Sequence, residues 1–147
     1  MDLYTEALSL AQAHPIVQSW PGLHAGLERG KHKQPTSWQL PTIGCETFGG
    51  QAQDALTAIA AMTCCQISLL LVDDILDQDP RGEYLKIGEG PAANLALGLT
   101  TLAISLLLDD ESLANSQAAA RATSQMRATV ARGQELDVQN KASEEHY

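Results

Sequence analysis

The sequence predicts an all-α protein, and three observations carry that expectation. Two long uncharged runs, Ala55–Val72 and Gly90–Leu108, read as buried helices. The N-terminal segment repeats apolar residues at helical spacing, with Leu3, Ala7, Leu10, Ala11 and Val17 near one face. Alternation of Val, Ile, Tyr and Phe at a period of two, which a half-buried strand requires, is absent.

Taken in order, a first amphipathic helix is expected over Leu3–Ser19 and is broken by Pro21 and Gly22. A polar basic loop follows, "ERGKHKQPTS", in which Gly30 and Pro35 stop regular structure. Thr36 or Ser37 can cap the next helix, which ends at Gly49-Gly50. A third helix is expected from about Gln53 to Leu76, closed by Pro80 and Gly82. A fourth opens near Pro91, where proline is tolerated, and runs to about Leu108. The fifth, Ala- and Gln-rich, spans about Ser112–Asn140. No repeat or linker divides the chain.

Composition narrows the function classes. With 147 residues, 44% of them hydrophobic and only 17 Gly and Pro together, the chain can build a core and is neither disordered nor fibrous. A net charge of -9 argues against a nucleic-acid partner. Cys45, Cys64 and Cys65 match no zinc or disulfide spacing, and read as small apolar residues on buried helices of a cytoplasmic protein. His14, His24, His32 and His146 are scattered, and read as ordinary surface or loop residues. The N-terminus "MDLYTEALSLAQ" lacks the features of a signal peptide. Both long apolar runs approach spanning length but contain polar interruptions and are followed by acids, so no transmembrane segment is expected.

One stretch demands a chemical explanation: "QISLLLVDDILDQDPRG", Gln66–Gly82. On a helix Asp77 lies beside both Asp73 and Asp74, at about 5–6 Å between Cβ atoms. These acids repel one another and sit in a last turn where the helix dipole favours cations, at about 0.3–1 kcal/mol each. A divalent ion answers the need. Magnesium takes one or two carboxylates and completes its shell with water and phosphate oxygens, and Arg81 is suited to grip a phosphate. A solvated acidic helix end is the plain alternative. A calcium loop starting at Asp77, "DQDPRGEYLKIG", has Arg81 and Gly88 where ligands belong. Downstream, "GQELD" puts Gln134 and Asp137 on one helix face. Upstream, "RGKHK" offers Arg29, Lys31, His32 and Lys33 to an anion.

Together these motifs resemble the trans-polyprenyl diphosphate synthases, the family of farnesyl and geranylgeranyl diphosphate synthases. "VDDILDQDPRG" is similar to its first aspartate-rich motif and "GQELDVQ" to its Gly-Gln-x-x-Asp helix. "GK" and "GCETFGG" precede them in the expected order, over about residues 25–147. The resemblance implies an isoprenoid-synthase-like helical bundle around a central cavity. It implies an enzyme that condenses isopentenyl diphosphate with an allylic prenyl diphosphate after magnesium-assisted ionisation. By motif position Asp73, Asp74 and Asp77 would be the catalytic acids, with Asp73 and Asp77 ligating Mg2+. Arg81 would contact diphosphate, Lys31 and Gln66 the isopentenyl diphosphate, and Gln134 and Asp137 the inner metal-diphosphate face. Ser68 and Leu69, one turn before Asp73, would flank the growing tail; neither is aromatic, so this position is not expected to stop elongation at a short chain.

The family pattern breaks in places. One arginine stands where two are usual, "SWQLP" replaces the usual Arg-Pro, and the chain ends at "KASEEHY" before a second aspartate-rich motif. Residues 1–147 are therefore expected to be the N-terminal portion of a polyprenyl synthetase domain, inactive alone and paired as a homodimer or with a partner chain. A non-catalytic partner subunit, a class I terpene cyclase and a ligand-free acidic helical protein remain the other readings.

Overall fold

The computed structural model describes residues 2–30 and 36–144, and the described chain is helical with no strand. Helix α1 (Leu3–Ala13) is opened by Asp2, whose carboxylate accepts from the Thr5 amide at 2.9 Å. It does not continue to Ser19 as expected. Pro15 excludes the preceding His14 from helical backbone, and His14 sits extended (φ -64°, ψ 137°) before a separate short helix, α2 (Pro15–Ser19). The inward stripe of α1 is Tyr4, Ala7, Leu8 and Ala11, with Leu3 and Leu10 at its margins.

Helix α3 (Pro21–Gly30) takes in Glu28 and Arg29, which the sequence assigned to a loop. A 3-10 turn (Thr36–Gln39) leads into α4 (Leu40–Thr47), and another (Ala52–Ala55) into α5 (Leu56–Leu76). The one-turn helix α6 (Tyr84–Ile87) has no counterpart in the sequence reading. Helix α7 (Glu89–Asp109) follows closely the expected run, whereas α8 (Ser116–Glu144) starts four residues later than Ser112. Asp110 accounts for the delay, because its carboxylate holds the Ser112 amide and hydroxyl in a turn.

The core is the α5–α7 pair, with α1 laid on α5, α3 on α7, and α8 along α7 and the end of α5. Small side chains such as Ala60, Cys64, Ala96 and Ala103 are buried between larger ones such as Ile59, Leu99 and Leu102, which allows the close approach of helices packed ridge into groove. Cys64 and Cys65 are buried free thiols as expected, while Cys45 is half-buried. By length and mean hydropathy (2.0 for Ala52–Leu76, 1.7 for Glu89–Asp109) both long helices could cross a membrane, and 56% and 44% of their apolar windows are buried inside this fold. Their outer faces leave Leu70, Leu97 and Leu108 exposed.

Candidate functional site

The last two turns of α5 and the C-terminal half of α8 form a cleft of about 170 Å³ lined by Asp73, Leu76, Asp77, Gly133, Gln134, Asp137 and Val138. Helical spacing explains each side: residues three and four apart share a face, so α5 contributes Asp73 with Asp77 and α8 contributes Gln134 with Asp137. The two faces meet through one contact in particular. Gln134 Nε2 donates to Asp73 Oδ1 at 3.3 Å, joining residues 61 apart in sequence. Four of the sequence-predicted residues are thus brought together.

Asp74 faces elsewhere. It lines a second pocket of about 290 Å³ with Gly26, Arg29, Gly30, Gln66, Leu70, Glu83 and Lys86, between α3, α5 and α6. Gln66 accepts a short hydrogen bond from Ser37 Oγ. Arg29 Nε pairs with Glu83 Oε1 at 3.1 Å, and Lys86 Nζ reaches Glu83 Oε2 at 3.2 Å. Lys31 lies outside the described residues, as do His32 and Lys33; the helix that precedes them ends at Gly30 in the wall of this pocket.

Arg81 is turned back on its own loop. Its Nη2 and Nε donate to Asp79 at 2.9 and 3.1 Å, and this bonding, with the added charge of Asp74, raises its pKa further. The loop is reversed by Gln78, whose φ of 51° is in the left-handed region that side chains other than Gly, Asn and Asp seldom enter.

Ser68 does not face open space. It is 1% exposed, donates to Ala96 O or pairs with Thr100 Oγ1 (both 2.8 Å), and accepts from Arg127 Nη2 at 3.0 Å. Leu69 is half-buried. Sequence reasoning missed Arg127, one of three arginines on a polar helix, and it missed the Glu83–Lys86 pair carried by α6. It also took His14 for an ordinary surface residue; the side chain is 11% exposed, and its Nε2 meets Asp109 Oδ2 at 3.2 Å.

The donor set of the α5–α8 cleft is hard oxygen: carboxylates and an amide carbonyl. Among the described residues no three His, Cys, Asp or Glu side chains gather closely enough to hold a metal by themselves. A magnesium ion does not require that, since one or two carboxylates suffice where water and phosphate oxygens fill the remaining positions. The cleft contains that number of carboxylates on its α5 side, Asp73 and Asp77. Compared with known proteins, the chain matches no family profile, no curated protein and no solved structure.

Proposed function

We propose that the chain binds the diphosphate of a prenyl ligand, with magnesium, in the α5–α8 cleft, as part of a prenyltransferase that extends an allylic diphosphate with isopentenyl diphosphate. One observation supports this most: Asp73, Asp77, Gln134 and Asp137, from two motifs far apart in sequence, line a single cleft. Asp73 and Asp77 would hold the metal, which when bound takes up charge on the departing diphosphate as a Lewis acid. Gln134, hydrogen-bonded to Asp73, orients that carboxylate. Asp137 faces the diphosphate from the opposite helix and would meet it through metal or water. The pocket of Gln66, Arg29 and Lys86 offers cationic groups to the second diphosphate, with Lys31 next in sequence to its wall. Asp74, across the helix from the metal pair, supports the reading least.

A second reading has its own observations. Arg81 is engaged by Asp79 and Gln66 by Ser37, so neither is turned to a substrate, as suits a non-catalytic subunit that keeps diphosphate binding and modulates another chain. The exposed Leu97, Leu108, Leu40, Ile43 and Phe48 would serve pairing with a second copy or a partner.

Calorimetry with pyrophosphate and magnesium tests the site. Saturable binding that needs the metal, and that is lost on Asp73→Asn, is expected; equal binding without metal would refute it. Labelled isopentenyl diphosphate with an allylic diphosphate then separates the readings. Longer prenyl products mark the enzyme, and binding without product marks the partner subunit.

A further inference from the structure

The second pocket, between α3, α5 and α6, already holds an anion of its own. Glu83 Oε1 accepts from Arg29 Nε at 3.1 Å and Glu83 Oε2 from Lys86 Nζ at 3.2 Å, so one carboxylate bridges a cation on α3 and a cation on α6. Its side chain is 18% exposed, against 42% for Arg29 and 72% for Lys86, which makes the carboxylate the inner partner of the three. Glu83 stands at the N-cap of α6 but makes no capping hydrogen bond there. The helix is anchored instead by Tyr84, which is buried. The carboxylate can therefore leave both cations by side-chain rotation, with α6 in place.

The rest of the pocket suits a small amphiphilic anion. It has about 290 Å³, and Ile67, Leu70, Leu71 and Leu95 line its apolar side. Among the described residues its charged lining is Arg29 and Lys86 against Glu83 and Asp74, so no surplus of positive charge remains while Glu83 stays between the cations. A pair of phosphate oxygens offers Arg29 and Lys86 the same two-point contact that the Glu83 carboxylate makes. An incoming phosphate group must therefore replace Glu83, not merely join it.

We infer that Glu83 is an internal competitor for the anion seat of this pocket and sets its selectivity, admitting isopentenyl diphosphate and holding out inorganic phosphate; the inference rests on reading the pocket as the place of the second diphosphate. A diphosphate brings enough charge and enough oxygens to satisfy both cations and to offset the loss of their carboxylate. Inorganic phosphate only exchanges one pair of contacts for another. All three paired groups are partly exposed, so water screens them, and the two contacts together hold back an incoming anion by about tenfold.

The test is calorimetry of the full chain with isopentenyl diphosphate in EDTA, so that the metal-dependent cleft stays silent. Glu83→Gln is expected to bind roughly tenfold more tightly than the wild type. Inorganic phosphate is expected to displace isopentenyl diphosphate from Glu83→Gln but not, at the same concentration, from the wild type. Removing the carboxylate strands no buried charge, since Arg29 and Lys86 both reach water. Should that variant nonetheless fail to fold, Glu83→Asp, too short to span both cations, is expected to bind about threefold more tightly. Affinity that is unchanged or lowered in the folded variant overturns the competitor, a fall being what a Glu83 that only positions the cations would give. Phosphate that competes equally against both proteins overturns the selectivity. Arg29→Gln with Lys86→Gln decides the seat separately. If that pair loses binding while Glu83→Gln gains nothing, the competitor falls and the pocket reading stands. Binding untouched by that pair, or absent from the wild type and Glu83→Gln alike, overturns both.

Discussion

Helices α5 and α7 are near twins that end differently. Each has 21 residues, each is apolar through most of its length, and each closes on acidic residues. At the end of α7 the acids are held by the fold itself. Asp109 Oδ2 meets His14 Nε2 at 3.2 Å, and Asp110 accepts from Thr57 Oγ1 and Ser112 Oγ, each at 2.5 Å, and from the Ser112 amide at 2.9 Å. At the end of α5, Asp73 receives one amide at 3.3 Å and opens, with Asp77, on the cleft shared with α8. The larger cavity, about 710 Å³, is at the α7 end, yet its Asp54, Asp109 and Asp110 already have protein donors. Size therefore does not pick the site. The α7 acids are tied to neighbours that close that end of the fold, whereas the α5 and α8 acids are gathered from two helices around one cleft, which makes them candidates for a ligand.

Substitution at the two ends should separate them. Asp73→Asn with Asp77→Asn is expected to lower affinity for magnesium pyrophosphate by about 100-fold or more, since groups that only support a metal's ligands already cost 10–100-fold, and to leave the melting temperature nearly unchanged. Asp109→Asn with Asp110→Asn should do the reverse. Affinity stays within about twofold, while stability falls by about 1–3 kcal/mol because the buried Thr57 loses a charged partner, a drop of about 2–4 °C per kcal/mol in calorimetry. Equal effects of the two pairs on binding would erase the distinction.

A smaller effect is expected at Tyr4, which supports the α3 side of the second pocket. Its hydroxyl donates to Gly30 O at 2.9 Å, and burial, then Cys64, pushes its pKa up to about 12. Tyr4→Phe should cost about 0.5–1.5 kcal/mol in urea unfolding. A folded value above the ordinary 10.0 also means that this tyrosine's contribution is fully present below pH 10.0 and is lost as pH rises through about 12. The variant should therefore lose less stability over that alkaline window than the wild type.

How much of this was legible in the sequence differs by region for physical reasons. The long helices α5 and α7 were, because uncharged runs bounded by Pro and Gly have few other ways to be buried. The α1–α2 break was masked by apolar spacing that continues past His14, although Pro15 dictates it. Helix α3 was missed, Pro21 and Gly22 reading as breakers, and glycines stand on its inner face. A Cβ on Gly26 would come within 3.2 Å of Leu95, and one on Gly30 within 2.7 Å of Ile67, so contact is made by backbone where a periodicity search expects side chains. At the site, i,i+3 and i,i+4 spacing disclosed that Asp73 faces with Asp77 and Gln134 with Asp137. That α8 lies against the end of α5, and that Arg127 turns inward beside Ser68, are properties of helix packing that no local spacing encodes.

The finest distinction between the helix ends is in acid. The Ser112 hydroxyl first, then the Thr57 hydroxyl, hold the Asp110 carboxyl below its ordinary value of 3.8, against an opposing push from burial. Folded protein thus binds fewer protons than unfolded protein between the folded value and 3.8, so stability rises with pH across that window. The contribution is present above pH 3.8 and is lost as pH falls through the folded value. Asp110 is partly exposed, so water screens the interaction and the effect is the smallest of those expected here. Thermal midpoints followed downward from neutral pH should fall more steeply below pH 3.8 in the wild type than in Asp110→Asn, which has no carboxylate to protonate. Parallel curves would mean that the Thr57 and Ser112 bonds do not favour the ionised acid, and that the α7 end is held by packing instead.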